Sequence, residues 1–536
     1  MPASVSSNPD LAITSHGGLA DYRLYRGLLT LLCVCSLAVG CTAVGPNFET
    51  PMIAEMQDWT VDNPVIERDS VDLRQWWTVF NDPMLNQLIE ESFQQNLSLQ
   101  IAGLRILEAR AQLGIAEGQL YPQTQQIGGE ISSNRISENS PNFSPAADNT
   151  FNNYQAGFDA TWEIDFWGRF ARGIQADKAS LDASFADYDD ALVSLAAEVA
   201  RSYVNIRTFE TQIALAQANI KLQTESLRIA QVRFDTGATS NLDVQQAKTN
   251  LASTQASIPS LTSSLRQTMN GLSILLGKPP GELRLGDAGK DGIPQAPPLV
   301  ATGIPTELLR RRPDVRSAEY QAASQAALVG VAEGDLYPKF SLFGSIGLQS
   351  SNTGSSSSSD LINSDSLLFS AGPQFSWDIF NYGRIRNQVR VQDARYQQTL
   401  VNYQDTVLRA YQETEDAMIG FTQAQIAARF RKQSADAAKR ASELANLQYR
   451  EGATDFQRVI DSERSLVAQQ NQWTSARGSI ALNLIALYKA LGGGWSPRQK
   501  ADSQRPEYVS PEIQKEMAQR TNWGKYLEPP PKKDPQ

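Results

Sequence analysis

Histidine occurs once in these 536 residues, at His16, and cysteine three times, at Cys33, Cys35 and Cys41, all near the N-terminus. The body of the chain therefore offers no thiols for a disulfide framework or zinc site. It has no imidazole for general acid–base work either, which removes most common enzyme designs. An excess of positive charge is also missing: 48 Lys and Arg stand against 58 Asp and Glu, a net charge of −10. With no basic block to offset that balance, nucleic acid is excluded as a partner class. No apolar run in the sequence is long enough for a membrane-crossing helix. Hydrophobic residues nevertheless make up 41% of the chain, so it can bury a core and is not disordered by composition. The length implies two to four domains or one large repetitive architecture.

What is present begins with a targeting segment. Arg23 and Arg26 precede the apolar run Gly27 to Gly40, which is too short to span a bilayer and reads as a secretory signal. The run ends Leu37-Ala38-Val39-Gly40-Cys41, which resembles a bacterial lipobox, with Ala38 where leucine is usual. That resemblance implies removal of residues 1–40 and covalent lipid on Cys41, both N-acyl and S-diacylglycerol. Cys33 and Cys35 would leave with the leader. The stretch before Arg23 is long for such a leader, so a translation start downstream of Met1 is expected.

An internal repeat organises the remainder. Gly114-Ile115-Ala116-Glu117-Gly118-Gln119-Leu120-Tyr121-Pro122 recurs, 216 residues on, as Gly330-Val331-Ala332-Glu333-Gly334-Asp335-Leu336-Tyr337-Pro338. Trp162-Glu163-Ile164 returns as Trp377-Asp378-Ile379, and Trp167-Gly168-Arg169 as Tyr382-Gly383-Arg384. Gly237-Ala238-Thr239 returns as Gly452-Ala453-Thr454, and Leu276-Gly277 as Leu491-Gly492, all at 215. The chain is a tandem duplication.

Each copy switches between two periods. Residues 152–166 alternate, with Tyr154, Ala156, Phe158, Ala160, Trp162 and Ile164 on one face and Gln155, Asp159 and Glu163 on the other. Phe369, Phe375 and Trp377 alternate in the same way in the second copy. Residues 339–348 do so as well, and 123–134 more weakly. Four strands are predicted, each with an apolar and a polar face. A soluble sandwich also alternates, but strands of this length with aromatic ends fit an outer-membrane barrel. Residues 170–234 and 385–449 lack proline, hold one glycine each and repeat apolar residues every three or four positions, predicting very long helices. Glycine at 237 and 452 suits a helix end and reversal, after which helices should run back to Leu276 and Leu491. The expected product is two long antiparallel helical hairpins packed as in a coiled coil. Helices are also expected over 83–118 and 313–335, with an irregular tail after Ser496. Four strands cannot close a barrel in lipid, so several chains must combine. Single carboxylates such as Glu163 and Asp378 read as solvated residues lining a lumen, not as acid–base groups.

The chain resembles the TolC-type outer-membrane efflux factors, in their NodT lipoprotein subgroup. The residues that carry this are Cys41 with Val44-Gly45-Pro46 and Phe48, then Trp76-Trp77, Phe80, Asp82-Pro83 and Leu85. Pro305 follows, leading into Leu308-Leu309-Arg310-Arg311-Arg312-Pro313-Asp314-Val315, Ala318 and Glu319, with both Leu-Tyr-Pro segments and both Gly-Ala-Thr turns. The resemblance implies a mixed fold of long helical hairpins and four transmembrane strands per chain, closed as a homotrimer. It further implies an outer-membrane, lipid-anchored duct reaching into the periplasm and exporting small molecules. Such a duct is passive and joins a periplasmic adaptor (membrane fusion) protein to an inner-membrane transporter of the RND type. The matching domain plan is 41–82, a repeat at 83–276, a linker at 277–305, a repeat at 306–495 and a tail at 496–536.

Two sets of site residues follow from the resemblance. Gly237 and Ala238, with Gly452 and Ala453, are the expected adaptor-docking tips. The gate is expected beside them, where Asp461, nine residues after Gly452, matches one acidic ring of the family. Arg458 replaces the other acidic position, Asp243 is retained after the first turn, and Thr454 stands where a latching arginine would. Arg450 or Arg458 are the expected substitutes, pairing with Asp243 or Asp461 across neighbouring hairpins. Competing readings are the duct of a protein secretion system, a structural coiled-coil lipoprotein and a periplasmic lipoprotein enzyme.

Overall fold

The computed structural model describes residues 43–52, 56, 58–69, 72–141, 148–286, 292–303, 305, 311–353, 357–495 and 509–520. The signal segment and Cys41 lie outside the described residues. In chain order the elements are β1 (Ile66–Glu67), α1 (Pro83–Gln95), α2 (Leu97–Gly118), β2 (Thr124–Arg135), β3 (Thr150–Ile164), α3 (Arg169–Asp235) and α4 (Asn241–Leu275). Then come β4 (Val300–Ala301), α5 (Pro313–Gly334), β5 (Lys339–Ser351), β6 (Leu367–Ser376), α6 (Arg384–Arg450), α7 (Phe456–Ala490) and α8 (Pro511–Arg520). The duplication is kept in element lengths: α3 and α6 have 67 residues each, and α4 and α7 have 35 each. A helix of 67 residues is about 100 Å long.

Two compact units divide the chain. One unit, Met1–Asn47 with Ala116–Ile174 and Ala327–Gln392, contains a four-stranded antiparallel sheet in the order β2-β3-β5-β6. The pairing of β3 with β5 joins the two repeats. Register decides what each face shows. Ile127, Phe158, Ile346 and Phe369 stand in one row across all four strands, at 88%, 40%, 53% and 79% exposure. The adjacent row is Gln126, Asp159, Ser345 and Ser370. Successive residues of a strand point to opposite faces. The sheet therefore has one exposed apolar face and one polar face, as the alternation predicted.

The other unit, Phe48–Ile115 with Gln175–Ala326 and Asp393–Gln536, holds the main core. Trp76 is 1% exposed in a short 3-10 turn, stacked on Tyr488 at 5.4 Å with edge contacts to Trp77 and Phe80. Asp82 caps α1 by accepting from the Met84 and Leu85 amides, Pro83 takes the first helical position, and the Tyr203 hydroxyl donates to the same carboxylate. The Trp-Trp, Phe, Asp-Pro and Leu motif is thus a core plug and a helix start. A parallel two-residue pairing of β1 with β4 ties the linker to the segment before the plug.

Two expectations need correction. Residues 83–118 form two helices, because Asn96 turns the chain with extended backbone. Its side chain accepts from the Leu99 amide, which starts α2, and donates to the Leu275 carbonyl, which anchors the break. The tail, expected to be irregular, contains α8. Ser510 caps it, its carbonyl accepting from Gln514, and Pro511 stands in the first helical position.

Truncating a buried tryptophan costs roughly 3–5 kcal/mol through lost transfer energy and the cavity left behind. Trp76→Ala should therefore lower the stability of this unit by about that amount, measured by denaturant unfolding in detergent. Sheet-region amide exchange should stay unchanged, since the core cluster that holds Trp76 is drawn from its own unit among the described residues.

Candidate functional site at the hairpin turns

The turns at 236–240 and 451–455 close the two long hairpins, and both end the preceding helix in the same way. Gly237 has φ +75° and its amide donates to Phe234, while the Ala238 amide donates to the Arg233 carbonyl. Gly452 also has φ +75°, with donations from Gly452 to Tyr449 and from Ala453 to Gln448. This pair of bonds is the Schellman motif, which needs a left-handed residue and so selects glycine. Ser240 and Asp455 then cap α4 and α7. Gly237, Ala238, Gly452 and Ala453 are all exposed.

Behind the turns lies a small apolar plug formed by Ala230, Val244, Ala247, Tyr449, Phe456, Val459 and Ile460. Tyr449 is its hub. The Arg233 guanidinium lies 4.7 Å over the Tyr449 ring and donates to the Tyr449 carbonyl at 2.6 Å. The Tyr449 hydroxyl donates to Asp243 at 3.3 Å, and Thr239 also donates to that carboxylate. Asp243 therefore joins the start of α4 to the end of α6. Asp461 is exposed on α7 and accepts from Gln457 at 3.0 Å. Arg450 and Arg458 are exposed too. Among the described residues of one chain, no ion pair joins either arginine to Asp243 or Asp461.

Sequence reasoning missed a polar node one layer behind the plug. Glu463 on α7 is 2% exposed, yet accepts from Ser226 on α3 (2.5 Å), Asn250 on α4 (3.0 Å) and Asn446 on α6 (3.4 Å). Each of the four long helices gives one residue. Burial pushes the Glu463 carboxyl above the ordinary glutamate range, while the three hydrogen bonds oppose the shift. The available signal was an acid at 463 on the stripe Phe456, Val459, Ile460 and Leu466, all of which are buried.

A cleft of about 320 Å³ in the same unit is lined by Asp187, Asp190, Asp314, Glu413 and Arg312, among others. Asp190 is pushed up to about 6, first by burial and next by Asp314. Arg312 pairs with Asp314 and Glu413 at 2.7 Å and donates to the Ala490 carbonyl at 3.0 Å. Its guanidinium holds the end of α7, which accounts structurally for the Arg-Pro-Asp motif.

A sheet with an exposed apolar face and, among the described residues, two open edges, in a chain that also holds a duplicated pair of long helical hairpins, fits a membrane-embedded channel of the outer-membrane type. The outer membrane efflux protein family model matches residues 88–278 and 304–493, and the chain belongs to that family. It is an outer-membrane efflux channel, and its family is one of channels, not enzymes. The chain is 30% identical over 474 residues to Nodulation protein T of Rhizobium leguminosarum bv. trifolii, covering 87% of this chain and 97% of the relative. It is 28% identical over 475 residues to the probable outer membrane lipoprotein SilC of Salmonella typhimurium, covering 87% and 98%. The solved outer-membrane channel OprN superposes with a TM-score of 0.77 at 31% identity, covering 85% of this chain and all of that one.

The Glu463 node should make the hairpin ends sensitive to pH. A folded-state pKa raised above the usual 4.5 contributes stability that is complete below that value and lost as pH rises through the raised one. Protection of the amides around Val459–Leu466, taken relative to the intrinsic exchange rate at each pH, should therefore rise on acidification from neutral pH. Glu463→Gln should abolish that change in protection; an unaltered change in this variant would assign it to another group.

Proposed function

We propose that three copies of this chain close a twelve-stranded barrel and act as the passive outer-membrane duct of a tripartite pump for small molecules. The observation that carries the reading is the four-strand apolar row Ile127, Phe158, Ile346 and Phe369, flanked by two unpaired sheet edges. Lipid supplies no hydrogen bonds, so those edges must pair with β2 and β6 of neighbouring copies. Eight strands are the least that close a spanning barrel, so at least two copies are needed, and three is the number the family resemblance implies. The lumen is then lined by the polar rows, among them Gln126, Asp159, Ser345 and Ser370.

In this reading the exposed turns at Gly237-Ala238 and Gly452-Ala453 dock a periplasmic adaptor, which connects the duct to an inner-membrane transporter of the RND type. Cys41 carries N-acyl and S-diacylglycerol lipid as an auxiliary anchor, in keeping with the description of SilC as a probable lipoprotein. Asp461, exposed on α7, lines the closed constriction, with Arg458 and Asp243 helping to hold it shut. Three carboxylates converging on one axis would attract cations. The within-chain Tyr449–Asp243 bond supports the latch on one side, and arginines of neighbouring hairpins complete it.

Mass measurement in detergent should give a trimer, and a monomer alone would defeat the barrel. Asp461→Ala and Arg458→Ala should each raise single-channel conductance in planar bilayers, and Asp461→Ala should also weaken cation block. Unchanged conductance in the double variant, with trimers confirmed, would move the gate elsewhere along the turns. Cys41→Ser should abolish fatty-acid labelling while leaving barrel insertion largely intact.

A further inference from the structure

The segment just after the lipid-attachment cysteine makes contacts that neither the duct nor the gate requires. Arg172, in the first turn of α3, is 5% exposed. Its Nε donates to the Val44 carbonyl at 2.9 Å. Its Nη2 reaches the carbonyls of Ala43 (3.3 Å) and Gly45 (3.0 Å) and the Asn47 side-chain oxygen (2.9 Å). One guanidinium thus gathers acceptors from four residues between 43 and 47. The Val44 amide in turn donates to the Trp167 carbonyl at 3.0 Å.

Close backbone approach completes the grip. A Cβ at Gly168 would stand 2.5 Å from the Ala43 Cβ, and one at Gly330 would stand 2.7 Å from the Val44 oxygen. Gly45 lies at φ +92°, where a Cβ would come within 2.3 Å of the Gly330 Cα. Three glycines therefore leave room for this backbone and no more.

The level at which the segment is held is informative. Trp167 stacks on Tyr337 at 4.6 Å, and Phe166 touches both Trp167 and Phe340. The indoles of Trp162 and Trp377 donate to the Leu120 and Leu336 carbonyls in repeat-related positions. Such an aromatic girdle marks a membrane–water interface, where lipid headgroups lie. Two residues of chain, about 7 Å at most, separate Ala43 from Cys41.

The second repeat retains the turn but not the grip. Gly383, the counterpart of Gly168, has φ +82°, and a Cβ there would meet only Asn387, which stands where the first repeat has Arg172. One chain has one N-terminal segment, and only one copy of the duplicated turn is equipped to hold it.

We propose that Arg172, Gly168 and Gly330 form a clasp for residues 43–47 that fixes the lipid on Cys41 at the level of the aromatic girdle, coupling the acyl anchor mechanically to the sheet. The clasp is independent of the gate; its lipid half rests on the lipoprotein reading above. Arg172 is a positioning residue, since it acts on the lipid through the backbone it holds.

Hydrogen exchange read by mass spectrometry on the full chain tests the clasp. Arg172→Ala and Gly330→Ala should each speed exchange of the Val44 amide by about tenfold or more, with β3 and β5 unchanged. Gly330→Ala is the complementary variant: alanine favours the helix it joins, and its Cβ would crowd both the Val44 carbonyl and the Arg172 side chain. Unchanged Val44 exchange in both variants overturns the clasp. For the coupling, Cys41→Ser should lower the thermal midpoint of the barrel in lipid bilayers in the wild-type background but not beside Gly330→Ala. An equal drop in both backgrounds overturns the coupling, because the lipid would then act without the clasp. Absence of fatty-acid label on wild-type Cys41 overturns the lipid half alone, and the exchange result still decides the clasp.

Discussion

Backbone amides and carbonyls cannot be left unpaired in hydrocarbon, and this constraint governs the rest of the protein. The sheet pairs β3 with both neighbours but, among the described residues, leaves one side of β2 and one side of β6 unpaired. A chain with four strands and an exposed apolar face is therefore incomplete by itself. In the proposed assembly, other copies supply the missing hydrogen bonds. The duplication meets the same constraint in another way. Pairing β3 of the first repeat with β5 of the second joins the two hairpin strands of each copy into one surface with a consistent register.

That register sorts the side chains without further instruction. With Phe158 opposite both Ile127 and Ile346, and Ile346 opposite Phe369, every bulky apolar residue of the row meets its like. A slip of one residue in any strand would bring Asp159 or Ser345 into the apolar row, so the two faces specify the pairing. Polar side chains on the other face need no dedicated partners because water supplies them. Glu163 and Asp378 instead pair with Arg169 and Arg384, the same ion pair repeated in both copies.

In the helical unit the selection is different. One apolar plug lies behind the two turns, and a buried carboxyl on α7 sits immediately behind it, satisfied by one residue from each of the other three long helices. A buried polar group of this kind is a weak source of stability and a strong source of register, because sliding any helix by a turn would orphan its donors or acceptors. The arrangement favours one alignment of two otherwise uniform hairpins.

The sequence by itself determined the duplication, the four strands and their faces, the long helices and the two glycine turns. Each rests on local periodicity or on a backbone angle that only glycine adopts easily, and both are written in consecutive residues. The family resemblance, counted along the sequence from the turns, marked Asp243 and Asp461. The sequence did not reveal that Tyr449 and Thr239 hold Asp243, that Glu463 is buried among three donors, or that Arg172 gathers the carbonyls of residues 43–47. Asn96 broke a helix that periodicity ran straight through, because its side chain found the Leu275 carbonyl 179 residues away. Such contacts join residues far apart in the chain, and their energies depend on burial and distance, which only the packed tertiary structure sets.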